Sequence, residues 1–141
     1  MAEIILAAHG KMATEVKRSA EMISGEQPRV HTTEFLQGEG IEQVKEKLEA
    51  YRKTIPGNEI LILVDLFGGT PYNASCAFVM EHQNDGTNYQ VVSGLSLPLL
   101  LQAVMADEAE TAEVLAAEII ETAAETVKRF SSEDIEEEEE L

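Results

Sequence analysis

The chain has little cysteine: Cys76 is the single one among 141 residues. One thiol excludes a disulfide framework or a cysteine-built metal centre within the chain. Cys76 is expected to be a structural thiol buried in a helix. Basic residues are also scarce. Ten Lys and Arg stand against 27 Asp and Glu, for a formal net charge of −17. Nucleic acid and anionic membrane surfaces are therefore poor partners. Glu133 to Glu140 holds seven acidic residues and no basic one, and removing them takes the charge from −17 only to −10. The body is acidic without its tail. No apolar run approaches the roughly 20 residues of a membrane span. The run after Met1-Ala2-Glu3 is too short for a signal peptide core and has no basic residue before it. A cytoplasmic location is expected. Neither GxxxxGKS/T nor GxGxxG occurs, which leaves nucleotide binding with little support.

What is present alternates between two periodicities. Ile4-Ile5-Leu6-Ala7-Ala8 is a continuous apolar run, as in a strand buried on both faces of a parallel sheet. Met12, Val16, Ala20 and Ile23 then mark one face of a helix closed by Ser24-Gly25. Val30 to Phe35 reads as a more polar, peripheral strand. A second helix carries Ile41, Val44, Leu48, Tyr51 and Ile55 and stops at Pro56-Gly57. Glu59 to Asp65 is the strongest strand signal. After Thr70-Pro71 comes a helix with Ala74, Ala77, Phe78 and Met80. Tyr89 to Gly94 is a fourth strand, and Pro98 opens a short apolar helix through Met105. A last helix is expected from about Thr111 to Lys128, with Leu115, Ile119, Ala123 and Val127 on one stripe.

The order β-α-β-α-β-α-β-α-α predicts an α/β, doubly wound, mainly parallel sheet of order 2-1-3-4, with helices on both faces. Around Val127–Ser131 lies a weak candidate for an extra antiparallel edge strand. The domain is expected to cover residues 1–130. The acidic tail, 131–141, lacks what a core needs and is expected to be disordered.

In such a sheet ligands bind beyond the carboxyl ends of the strands, where the strand order reverses. For order 2-1-3-4 that point lies between strands one and three, which end in His9 and Asp65. A neutral imidazole is a nucleophile, and imidazole exchanges its proton close to neutrality. A carboxylate that accepts from one ring N–H would fix the tautomer and free the other nitrogen. In Gly68-Gly69-Thr70-Pro71, Thr70 is expected to cap the next helix with Pro71 at its first position. The N–H groups there favour an anion, the glycines admit its close approach, and the Thr70 hydroxyl is a further donor. His31 and His82 look incidental, and no metal-ligand spacing surrounds either.

These motifs carry a resemblance. Ala8-His9-Gly10, paired with Leu63-Val64-Asp65-Leu66-Phe67-Gly68-Gly69-Thr70-Pro71-Tyr72-Asn73, resembles the IIA proteins of the mannose family of the bacterial phosphoenolpyruvate-dependent sugar phosphotransferase system. The similarity runs over about residues 1–130. It implies a cytoplasmic homodimer without cofactor or metal that accepts a phosphoryl group from HPr on His9 and passes it to a IIB protein. Asp65 would be the catalytic orienting carboxylate, with Gly68, Gly69 and Thr70 binding the phosphoryl group. The family often has Ser at position 70 and Trp at position 67; Thr70 keeps the donor, whereas Phe67 lacks the indole N–H. Members also commonly exchange a C-terminal strand in the dimer. With no IIB domain after residue 130, a free-standing IIA is expected. Alternatives are the phosphoryl donor of a dihydroxyacetone kinase and a receiver-type module phosphorylated on Asp65. A flavin-binding module is disfavoured by the lack of a hydroxyl-rich loop after strand one.

Overall fold

In the computed structural model, which describes residues 2–107 and 110–134, four parallel strands form one sheet in the order β2-β1-β3-β4. The strands are β1 (Glu3–His9), β2 (Val30–Phe35), β3 (Glu59–Val64) and β4 (Asn88–Ser93). The crossovers are α1 (Met12–Ser24), α2 (Ile41–Thr54) and α3 (Thr70–Glu81), followed by α4 (Leu97–Met105) and α5 (Ala112–Ala123). The central strands β1 and β3 pair in register, Ile4 with Leu61 through Ala7 with Val64.

The alternation of side chains along these two strands builds two cores. Ile4, Leu6, Leu61 and Leu63 point to one face, against Ala13 and Ala20 of α1, Leu100 of α4, and Leu115 and Ile119 of α5. Ile5, Ala7, Ile60, Ile62 and Val64 point to the other, against Val44 and Leu48 of α2 and Ala74 and Phe78 of α3. Residues on both faces are fully buried, so a strictly alternating polar pattern is absent from β1 and β3. Each such Leu or Ile contributes about 1.5–3 kcal/mol of transfer free energy. The carboxyl edge of this buried sheet is the platform for the site.

Several helix faces differ from the expected stripes. The inward face of α1 is Ala13, Val16 and Ala20; Met12 and Ile23 flank it and are exposed. The small Ala13 and Ala20 let α1 approach the sheet closely, which rotates the larger flanking residues outward. Ile41 and Met80 are likewise exposed, at the ends of α2 and α3. Cys76 is half-buried, and its contact with the Tyr72 hydroxyl raises the tyrosine pKa.

The last helix is shorter than expected. It ends at Ala123 and tightens into a 3-10 turn, Ala124–Thr126, leaving Val127 84% exposed and Lys128 and Arg129 outside it. Residues 124–130 are all exposed and gain no burial, and packing is what sustains a helix of this length. Residues 127–131 join no strand, and the sheet of the described residues is wholly parallel. Of the tail, residues 135–141 lie outside the described residues.

Candidate active site

The switch point between β1 and β3 brings His9 and Asp65 together. His9 is the last residue of β1, and Asp65 is the first residue after β3. Their side chains meet, with Nδ1 of His9 2.8 Å from Oδ2 of Asp65. The same oxygen accepts the main-chain N–H of His9 at 3.0 Å. An ionised carboxylate only accepts, so the ring proton is assigned to Nδ1 and the lone pair to Nε2. The Asp65 side chain is 11% exposed and that of His9 45% exposed. The carboxylate is thus buried behind the ring, while the ring reaches solvent.

Two further residues hold the imidazole. The Phe35 ring, at the end of β2, stands edge-to-face with it, centroids 5.4 Å apart at 80°. Phe35 also straps the corner through its carbonyl, which accepts the Gly10 N–H at 2.8 Å. Gly69 forms the opposite wall: a Cβ there would lie 3.1 Å from Cε1 of His9. Asp65, Phe35 and Gly69 therefore occupy the Nδ1, ring and Cε1 sides.

The loop after β3 is built for this approach. Gly68 turns it with φ +80°, a conformation that side chains disfavour. The Gly69 N–H donates to the Leu66 carbonyl at 3.1 Å, and the Asn73 side chain donates to the Gly68 carbonyl at 3.1 Å. The helix cap differs from the expectation. Gly69, with extended dihedrals, is the N-cap, and its carbonyl accepts the Asn73 N–H. Thr70 and Pro71 are thus the first two helical residues, and the Thr70 hydroxyl makes no capping bond. Its proton and lone pairs stay available. The N–H groups of the first turn have no carbonyl within the helix to accept them, so the end of α3 carries partial positive charge.

His31 and His82 lie elsewhere, paired with Glu3 at 3.1 Å and Glu49 at 2.9 Å. Sequence reasoning missed Phe35 and Asn73 as parts of this site. For Asn73 the signal was its place in the loop motif. For Phe35 there was none before the β1–β2 register, His9 opposite Phe35, was known.

The family described as the PTS system fructose IIA component (EIIA-man) matches residues 3–133. The chain belongs to the mannose-family IIA components of the sugar phosphotransferase system. It is 39% identical over 105 residues to the PTS system fructose-specific EIIA component of Bacillus subtilis, covering 74% of this chain and 69% of that one. It is 33% identical over 135 residues to the PTS system mannose-specific EIIAB component of Escherichia coli, covering 94% of this chain but 41% of that longer protein. Among solved structures, the phosphotransferase system component EIIA of Streptococcus agalactiae superposes with a TM-score of 0.84 at 34% identity, over 94% of this chain and 99% of that one. This IIA protein is accordingly of the phosphotransferase type, and no helix of its described residues is long and apolar enough to cross a membrane.

Proposed function

We propose that this IIA protein carries a phosphoryl group on His9, taking it from phospho-HPr and giving it to a IIB component during sugar uptake. The observation that carries the reading is Asp65 on Nδ1, which leaves the Nε2 lone pair directed away from the carboxylate. In the first step Nε2 attacks phosphorus in line with the donor N–P bond. That bond breaks with its electron pair returning to the donor imidazole of HPr. In the second, the IIB nucleophile attacks phosphorus and the His9 N–P bond breaks in the same way. Asp65 stabilises the positive charge that develops on the ring in the first step and disappears in the second.

The phosphoryl oxygens need positive potential, because phosphoryl transfer relies on positioning and charge stabilisation. The Gly68 N–H, the first turn of α3 and the Thr70 hydroxyl supply donors without a metal or cofactor, while the Gly69 N–H is held by the Leu66 carbonyl and shapes the loop. A receiver-type reading has less support. Oδ2 of Asp65 is taken by two donors and Oδ1 is buried, so this carboxylate is a poor site for phosphorylation.

Partner docking fits the surroundings of His9. In a strongly acidic protein, Met12, Leu36, Leu66 and Phe67 are exposed at the same sheet edge, 38%, 41%, 57% and 72% respectively. A groove of about 370 Å³, lined by His9, Phe35, Leu36 and Glu39, opens beside the imidazole. We read this rim as the surface used by HPr and IIB in turn, in the cytoplasm. A homodimer is also part of the proposal. Among the described residues the outer edge of β4 is unpaired, and a groove of about 360 Å³ lined by Tyr72, Val91, Leu99 and Ile120 lies beside it. Val127 and Phe130 are exposed and available to a second copy. Sedimentation equilibrium checks this: a monomer at all concentrations overturns it.

The test of the central reading is labelling with phosphoenolpyruvate, enzyme I and HPr. His9→Ala abolishes an acid-labile phosphoryl group, while His31→Ala and His82→Ala retain it. Labelling that survives His9→Ala overturns the assignment.

A further inference from the structure

Glu49 of α2 and Glu81 and His82 at the end of α3 place one ligand atom each within 4.8 Å of one another. We propose that these three residues bind a divalent ion of the zinc class, which ties α2 to α3. The cluster is separate from the phosphoryl site, because His9 adjoins the start of α3 and these residues lie at its end, about 18 Å along the axis.

The geometry of His82 carries the inference. Its Nδ1 lies 2.7 Å from the Phe78 carbonyl. A carbonyl only accepts, so Nδ1 carries the proton and the second nitrogen, Nε2, is the coordinating one. A backbone acceptor on the far nitrogen is the usual support of a metal-binding histidine. The ring is also held in place, stacked on Phe78 at 4.1 Å and 13°. Nε2 then faces Oε1 of Glu49 at 2.9 Å. Two such atoms 2.9 Å apart share a cation: a proton between them, or a metal that takes both as neighbouring ligands.

Charge favours a divalent cation. Lys45 contacts Glu81 at 2.5 Å and Glu42 at 3.7 Å. With Glu49, the contacting groups are three carboxylates and one ammonium, which leaves two negative charges uncompensated. A proton on His82 cancels one of them, whereas a divalent ion cancels both. Lys45 sits on Oε1 of Glu81 and leaves the second oxygen for coordination. One imidazole nitrogen and two carboxylate oxygens form a donor set that suits zinc. Ligands drawn from two helices have no spacing signature, so the sequence alone hides them.

The experiment is a calorimetric titration of the full chain with Zn²⁺, accompanied by thermal unfolding. His82→Gln and Glu49→Gln are compared with His9→Gln and His31→Gln, because those two histidines also pair with carboxylates. One Zn²⁺ site is expected, weakened about tenfold or more in the first pair and unchanged in the second. Zn²⁺ raises the unfolding temperature of the parent by mass action and not that of His82→Gln. The imidazole Nε2 resonance of His82 shifts on titration. Zn²⁺ binding that persists in both His82→Gln and Glu49→Gln overturns the proposal, since the ion then sits at His9, at His31 or on the acidic tail. Absence of binding to the parent also overturns it, the cation being then a proton only. Phosphoryl transfer enters none of these readouts, so the outcome is independent of the proposed function.

Discussion

A single oxygen of Asp65, Oδ2, accepts both the main-chain N–H of His9 at 3.0 Å and its ring Nδ1 at 2.8 Å. One acceptor thus fixes the end of β1 and the ring it carries. Asp65→Asn keeps the shape but removes the charge and gives the ring an amide that can also donate. The expected outcome is an unchanged circular dichroism spectrum and a phosphoryl transfer rate lower by on the order of 100-fold. Rapid-quench measurement with phospho-HPr checks it; an unchanged rate removes the orienting role.

Gly69 is small for a reason unrelated to its own backbone, which any residue can adopt at φ −77°. A Cβ there meets Cε1 of His9 at 3.1 Å and the Leu66 carbonyl oxygen at 3.4 Å. Gly69→Ala therefore pushes the imidazole off its seat. Transfer is expected to slow by about tenfold or more, since misplacing a reacting group is costly. The stability of the sheet stays close to that of the parent, as thermal unfolding of the same sample shows.

Thr70 does not cap its helix, so its hydroxyl is spared for the ligand. Thr70→Ser retains the donor and is expected to keep near-parental transfer. Thr70→Val has the same shape without the donor. A hydrogen bond to a charged group is worth about 1.5–3 kcal/mol, or roughly 10- to 150-fold in rate if made fully in the transition state. Equal rates for the serine and valine variants would show that the hydroxyl does not touch the phosphoryl group.

Glu110 sets a pH dependence far from the site. Burial lifts its carboxyl above the ordinary value of 4.5, and Glu118 and Asp107 add to the rise. Its Oε2 is buried with no hydrogen-bond partner among the described residues. A raised carboxyl pKa contributes stability below the unfolded value and loses it as pH rises through the folded value. Above its folded value the ionised Glu110 is therefore a burden. Glu110→Gln is expected to unfold at a higher temperature than the parent near neutrality, with the difference shrinking as pH falls towards 4.5. A difference that is constant with pH excludes titration as its cause.

The fold was legible because its core is written in short apolar runs. Ile4 to Ala8 and Ile60 to Val64 are buried on both faces, and that requirement leaves a continuous pattern in the sequence. Helix faces were less legible. Met12, Ile23, Ile41 and Met80 fit a 3.6-residue period yet lie exposed, because periodicity marks a stripe but not how far the sheet beneath it extends. The cap of α3 was misplaced by one residue: Thr70 has the right chemistry for a cap, but Gly69 has the required extended backbone.

The candidate site divides in the same way. His9 and Asp65 at the strand ends, and a glycine loop entering a helix beside them, are legible in the chain alone. Local chain chemistry suffices for that, since strand ends and turns are dictated by near neighbours. Three-dimensional packing is what sets Asp65 on Nδ1 with Nε2 outward, Phe35 and Gly69 beside the ring, and Glu49 against His82. Each of these contacts joins segments far apart in sequence. Their geometry depends on strand order, register and helix packing, which no local pattern encodes.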